Sequence, residues 1–290
     1  MQISTRREVA PIMTTARRAN DLLINVDMGE NVQPDWMVRV KEDYFRADSS
    51  MFQSRELPEL LDEMDANGVQ RAIIMTNIKQ PSKRATTFAE QHPDRFFMGL
   101  GGHDLLRPMP TLRAIESFVA SNPVAYLSVG PSFWGDGLYA PDNAVYFPLY
   151  TKACELDIPL CLNAGLPGPP IPGEVQNPIY LDRVCVRFPE LKLCMIHGAD
   201  PWWDTAIRLM IKYKNLRLMT SAWAPRHLPA SLLHYMRTRG KDKIMFASDS
   251  PVLSISRTVK EATELDLPGE VLDNYLFGNS ESFFFSRFER

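Results

Sequence analysis

The sequence predicts an α/β chain folded as a single (βα)8 barrel, the TIM barrel. Three observations predict it. Eight short apolar runs recur along the chain, helix-period segments lie between them, and no glycine-rich phosphate loop follows the first run. A doubly wound open sheet, the rival architecture, would normally carry such a loop after its first strand. The 290 residues also suit one barrel, since these typically run to roughly 250 residues.

The strand candidates, in order, are DLLINVD (21–27), RAIIMTN (71–77), RFFMGLGG (95–102) and VAYLSVG (124–130). They continue with IPLCLNAG (158–165), LKLCMIHG (191–198), NLRLMTS (215–221) and DKIMFASD (242–249). Most are continuously apolar rather than alternating, as expected of parallel strands covered on both faces. Segments such as LPELLDEMDANG, PMPTLRAIESFVAS, YFPLYTKACEL and DTAIRLMIKY carry apolar residues at helical spacing. Starts are expected at Pro108 to Thr111 and at Asp204. Every gap leaves the dozen or more residues that a parallel crossover needs.

Two connections exceed simple joints: 28–56, after the first strand, and GLPGPPIPGEVQNP (165–178), after the fifth. The second accounts for part of an unusual 23 prolines and is expected to be ordered, because proline fixes φ. Residues 1–20 are Arg-rich, show no apolar face, and read as a flexible tail; residues 21–290 read as the barrel.

Composition narrows the function. A net charge of −3 provides no basic field for nucleic acid. No stretch approaches the ~20 apolar residues of a membrane span. Four cysteines without a C-x-x-C pair, two of them inside apolar runs, read as buried thiols in a reducing cytoplasm. No fingerprint for a nucleotide, flavin or pyridoxal cofactor is present.

Chemistry in such barrels gathers at the C-terminal strand ends, where the βα loops form the mouth. There the sequence offers Asp27, Asn77, His103, Ser128, Asn163, His197, Ser221 and Asp249. His197 and Asp249 form the leading pair, because a carboxylate beside an imidazole suits acid–base work or metal binding. Structural hydrogen bonding at two strand ends is the competing explanation. His103 and Asn163 are candidates for substrate contact. Arg226 follows the seventh strand and offers a cation to an anionic substrate, with surface solvation as the alternative. Trp134 and Trp202 offer apolar walls, or are packing residues.

HGADPWW, DKIMFASDSP, HPDRF and NYLFGNSESFF together resemble the amidohydrolase-related family, the branch of the amidohydrolase superfamily that holds metal-dependent decarboxylases, lactonases and hydrolases. The resemblance runs from Leu22 to Phe285 and implies catalytic roles for His197 and Asp249. Members with a working metal site carry H-x-H at the first strand end; alignment of LLINVDMGEN puts Asp27 and Gly29 there. The family's fifth-strand histidine aligns with Asn163, a poor zinc ligand, and the fourth strand offers no lysine to bridge two metals. The resemblance therefore implies a degenerate site: no metal, or one divalent ion (Mg, Mn or Zn) on Asp27 and Asp249.

The first functional expectation is a hydrolase acting on a small organic acid or lactone, with Asp249 as general base and His197 as the polarising acid. Decarboxylation of an aromatic or unsaturated carboxylic acid is the alternative. A second alternative is an accessory subunit paired with an active homologue. Expected partners are a small-molecule substrate and a second barrel, as a homodimer or heteromer.

Overall fold

In the computed structural model, residues 17–28, 53–132 and 139–289 are described. The first strand, β1, spans Ala19–Ile24. Seven βα units follow it in sequence. They are α1 (Leu57–Ala66), β2 (Val69–Asn77), α2 (Lys83–Gln91), β3 (Phe96–Gly101), α3 (Pro108–Ser121), β4 (Val124–Val129) and α4 (Phe147–Glu155). Then come β5 (Leu160–Asn163), α5 (Leu181–Arg187), β6 (Leu193–Ile196), α6 (Trp203–Lys212), β7 (Leu216–Met219), α7 (Ala230–Arg237), β8 (Ile244–Met245), α8 (Ile255–Thr263) and α9 (Gly269–Asp273). All eight strands form one sheet in sequence order, with every ladder parallel.

The sheet also meets itself. Ile24 bridges Ser250 in parallel fashion, Asn25 N–H donates to Ser250 O at 2.7 Å, and Asp249 N–H donates to Leu23 O at 3.1 Å. The expected barrel therefore has its seam between β1 and the chain just beyond β8. Here the strand bounds depart from expectation. The run 242–249 yields only two ladder residues, because the remainder closes the seam instead of extending the strand.

Two apolar layers follow from strands buried on both faces. The outer one packs helix residues such as Leu60, Met64, Ile115, Leu149, Leu209 and Val259 against outward strand positions. The inner one fills the bore with Leu22, Ile73, Phe97, Tyr126, Cys161, Cys194, Met219 and Met245. Phe283, Phe284 and Phe285, in helical turns near the C-terminus, join this inner layer. Arg287 donates to Val124 O at 3.1 Å, which places this plug at the end where the strands begin. The opposite end carries the βα loops.

Proline has a second use beyond the loop after β5. It stands in the first turn of α1, α3 and α4 and of two 3-10 turns, where its missing N–H has no partner to lose. The 165–178 loop is tied down by Gly165 N–H to Gln176 O and Leu166 N–H to Asp200 O. The other long connection lies largely outside the described residues. Among the described residues no helix is long and apolar enough to cross a membrane.

Candidate active site

His197 follows directly on β6, whose apolar run LCMI is buried throughout. It adopts φ 66, a left-handed conformation that is strained for a residue with a side chain. Three hydrogen bonds hold it there. Its N–H donates to Ser221 Oγ at 3.0 Å, its Nδ1 lies 3.0 Å from the same hydroxyl, and its carbonyl accepts from Trp223 Nε1 at 2.8 Å. Trp223 in turn packs edge-on against Trp203, with ring centroids 5.3 Å apart. When Ser221 donates to Nδ1, the neutral ring carries its proton on Nε2. Burial pushes the imidazole down to about 4, against the pull of Ser221.

Asp249 stands opposite, four residues beyond β8 and also left-handed, with φ 62. Its Oδ2 is 3.9 Å from His197 Nδ1, too far for a direct hydrogen bond. Its Oδ1 accepts from Asn25 Nδ2 at 3.1 Å. Its side chain is 12% exposed. Burial lifts its carboxyl well above the usual range; the Asn25 bond opposes this, and the buried Asp21 carboxyl adds to it. Burial thus favours the acid form of Asp249 and the neutral form of His197.

The remaining expected residues fall in different places. Asn163 ends β5 in register with Ile196, one residue before His197. Two residues back, Cys161 faces the bore, so strand alternation turns Asn163 to the same side, at the mouth. His103 is wholly buried; its Nε2 donates to Leu100 O at 2.8 Å, Nδ1 has no partner, and burial pushes it down to about 4. Trp202 caps α6 beside the site. Arg226 is 60% exposed and pairs with Glu261 of α8 at 3.6 Å, away from the His197–Asp249 pair. Trp134 lies outside the described residues.

The first-strand assignment is corrected. Asp27 pairs with Arg84 at 3.3 Å, and Arg84 pairs with Glu56 at 2.7 Å. The residue of this segment that meets Asp249 is Asn25. Because β1 ends at Ile24 and its next residue is drawn into the seam, the mouth position comes two residues earlier than the alignment placed it. Gly29 lies outside the described residues. Asn25 had a legible signal: it is the first polar residue after the apolar run LLI. Ser221 is among the strand-end residues the sequence offers, whereas nothing in the sequence marks Trp223 or Asp21.

The family's divalent ion does not fit these donors. Around Asp249 stand an amide that donates to it and an imidazole whose Nδ1 is engaged by Ser221. The second carboxylate, Asp27, is taken by an arginine. Among the described residues no group of three or more His, Cys, Asp or Glu side chains gathers. One carboxylate beside an amide that donates to it, with the other carboxylate paired to an arginine, is a poor set for Mg²⁺, Mn²⁺ or Zn²⁺.

A family model described as amidohydrolase matches residues 33–285. The chain belongs to the amidohydrolase family. No curated protein matches it. Among solved structures, this member of the family is similar to an uncharacterised TIM-barrel protein from Bordetella bronchiseptica, with TM-score 0.78 and 18% identity over 94% of this chain and 100% of that one. It is also similar to 5-carboxyvanillate decarboxylase from Sphingomonas paucimobilis, with TM-score 0.64 and 16% identity over 92% and 98% of the two chains. A dihydroxybenzoic acid decarboxylase from Polaromonas, with bound manganese and the inhibitor 2-nitroresorcinol, gives TM-score 0.67 and 15% identity over 94% and 98%. At these identities the likeness shows the fold.

Proposed function

We propose that this amidohydrolase-family barrel is a carboxy-lyase acting on a small aromatic or unsaturated carboxylic acid, with Asp249 as the proton donor. The carrying observation is the buried Asp249 carboxyl 3.9 Å from His197 just beyond β8, in surroundings where burial raises its pKa and favours the acid form. Two of the solved structures to which the chain is similar are named as decarboxylases of aromatic acids, which also favours this reading.

The step balances without a redox partner. The Asp249 O–H bond breaks and its proton forms a C–H bond at the carbon bearing the substrate carboxylate. The C–C bond to that carboxylate then breaks, its electron pair returns to the ring or alkene, and CO2 leaves. Asp249, now a carboxylate, takes its next proton from water. His197 stays neutral and presents hydrogen-bonding capacity to the reacting group rather than a charge. Hydrolysis, the first expectation, required Asp249 as a base. A carboxyl whose acid form burial favours is better placed to donate a proton than to take one, so hydrolysis ranks second. Buried polar atoms without partners on two successive mouth loops, Ser132 Oγ and Gln176 Nε2, favour a substrate that carries hydroxyl groups.

The test incubates the protein with a panel of hydroxybenzoates, unsaturated acids and lactones in D2O. Release of CO2 with one deuterium at the vacated carbon supports the reading, provided Asp249→Asn abolishes it. Lactone ring-opening without CO2 overturns it in favour of hydrolysis.

A further inference from the structure

Asp21 is a carboxyl in the wrong surroundings. It is the third residue of β1 and wholly buried. Both its oxygens are engaged by one partner. Ser248 Oγ donates to Oδ2 at 2.5 Å and Ser248 N–H donates to Oδ1 at 2.9 Å. The Ser248 hydroxyl also accepts from Ser250 N–H at 2.9 Å. Ser248 and Ser250 flank Asp249, so one buried side chain holds the residue before the candidate proton donor directly, and the residue after it through a hydroxyl.

The seam explains why such a device is needed. Between β7 and β8 the ladder pairs two residues, and between β8 and β1 it is reduced to the single bridge Ile24–Ser250. Backbone contacts add only Asp249 N–H to Leu23 O and Asn25 N–H to Ser250 O. Residues 21, 23 and 25 of the first strand segment thus engage 248, 249 and 250 in order, ending with Asn25 on the Asp249 carboxyl itself. Meanwhile Asp249 sits in a left-handed conformation that an unconstrained chain would leave. Burial pushes the Asp21 carboxyl up to about 6 against the opposing pull of the Ser248 bonds, so the carboxyl is kept there at a cost. An apolar residue would fill the space but hold nothing.

We infer that Asp21 is a positioning residue: clamped to Ser248, it latches the 248–250 segment across the barrel seam and aims the Asp249 carboxyl at the site opposite His197. This rests on the reading of Asp249 as the reacting acid, but the latch itself has a readout that does not require activity.

Three variants test it in the full-length protein: Ser248→Ala, Asp21→Leu and Asp21→Asn. Ser248→Ala removes the hydroxyl at the centre of the latch. Asp21→Asn keeps it in reversed polarity, because its Oδ1 still accepts from Ser248 N–H and its amide donates to Ser248 Oγ. Amide hydrogen exchange at Asp249 and Ser250 is expected to quicken on the order of tenfold or more in Ser248→Ala, with amides of β2 to β5 unchanged. With an active carboxylic acid substrate, kcat falls about 10²-fold at unchanged KM, as misplacement of a reacting group does. Asp21→Asn restores the greater part of both. Asp21→Leu behaves like Ser248→Ala if it folds; if it does not, Ser248→Ala carries the comparison. Unchanged exchange at Asp249 and Ser250, or acceleration spread evenly over the whole barrel, overturns the latch. If the wild type releases no CO2 from any acid, the carboxy-lyase reading falls, and the exchange pattern alone still decides on Asp21.

Discussion

The two halves of the barrel are built differently. Strands β1 to β4 run for six, nine, six and six residues, whereas β5 to β8 run for four, four, four and two. Left-handed backbone divides the same way. Through β4 it falls, among the described residues, on glycines, Gly68 and Gly102, which adopt it freely, with Asp157, in the turn before β5, the non-glycine exception. In the second half it falls also on His197, Ala222 and Asp249, just beyond β6, β7 and β8. Each such residue costs roughly 1–3 kcal/mol and persists only where its surroundings over-determine it. His197 has three hydrogen bonds for that purpose, and Asp249 has Leu23, Asn25 and the flanking serines. The short strands release the chain early into shapes that aim side chains. The long strands supply rigid wall, and their mouth residues are spent on structure: Asp27 on an arginine, His103 on its own strand.

The largest test of this division is Asp249→Asn. The amide keeps the Asn25 contact within reach but has no proton to give, so activity is expected to fall about 10²–10⁴-fold with little change in KM. In the wild type the sign of the pH dependence follows from the raised carboxyl. The working form is protonated, so kcat is highest on the acid side of its pKa and is lost as pH rises through it. An Asp27→Asn variant should leave kcat within a few-fold, since Asp27 is occupied by Arg84. Equal losses in the two variants would erase the distinction between the halves.

Two buried histidines provide the next comparison, this time in stability. His103 in the first half and His197 in the second are both pushed down to about 4 by burial. A histidine whose folded pKa lies below its unfolded value of 6.5 leaves the unfolded chain binding more protons between them. Its contribution is complete above about 6.5 and is lost as pH falls through about 4. For the wholly buried His103 this amounts to on the order of 3 kcal/mol across that window. His103→Gln, which keeps a donor for Leu100 O, is expected to flatten the acid limb of a denaturation curve between pH 6.5 and 4 by about that amount while retaining activity at neutral pH. The raised Asp21 works with the opposite sign: its penalty grows as pH rises through about 6, so it partly offsets the histidines. An unchanged acid limb would show that His103 is not sealed as its burial implies.

Much of the wall was legible in the sequence, because strands covered on both faces must be continuously apolar and their ends must turn polar. His197 and Asp249 were found by that rule. It failed where the ladder itself fails. At the seam, residues 246–249 look like strand but leave the ladder and close the barrel against the first strand, and on the first strand the mouth position is Asn25, although Asp27 ends the same run. Asp21 only opens the run DLLINVD in the sequence; its contact with Ser248, over two hundred residues away, shows it to be interior. The rise of the Asp249 carboxyl was not legible either, because sequence spacing carries no burial and burial is what raises it.

The smallest effects sharpen the comparison most finely, through glycine. Gly198, beside His197, has φ +73, and an added Cβ would lie 2.4 Å from Trp203 Cη2 and 2.8 Å from Trp223 Nε1. Those are the rings that hold the His197 carbonyl. Gly198→Ala is therefore expected to cost about 1–3 kcal/mol in denaturant titration, and to lower kcat by disturbing the Trp223 bond. Gly101, at the end of β3, has ordinary backbone, and its added Cβ would find nothing nearer than 3.8 Å. Gly101→Ala should shift stability by no more than about 0.5 kcal/mol and leave kcat unchanged. The prediction concerns the ratio of the two effects. If the mouth were uniformly strained, both substitutions would be costly; if strain resides only where β6 to β8 release the chain, the first alone registers in both stability and rate.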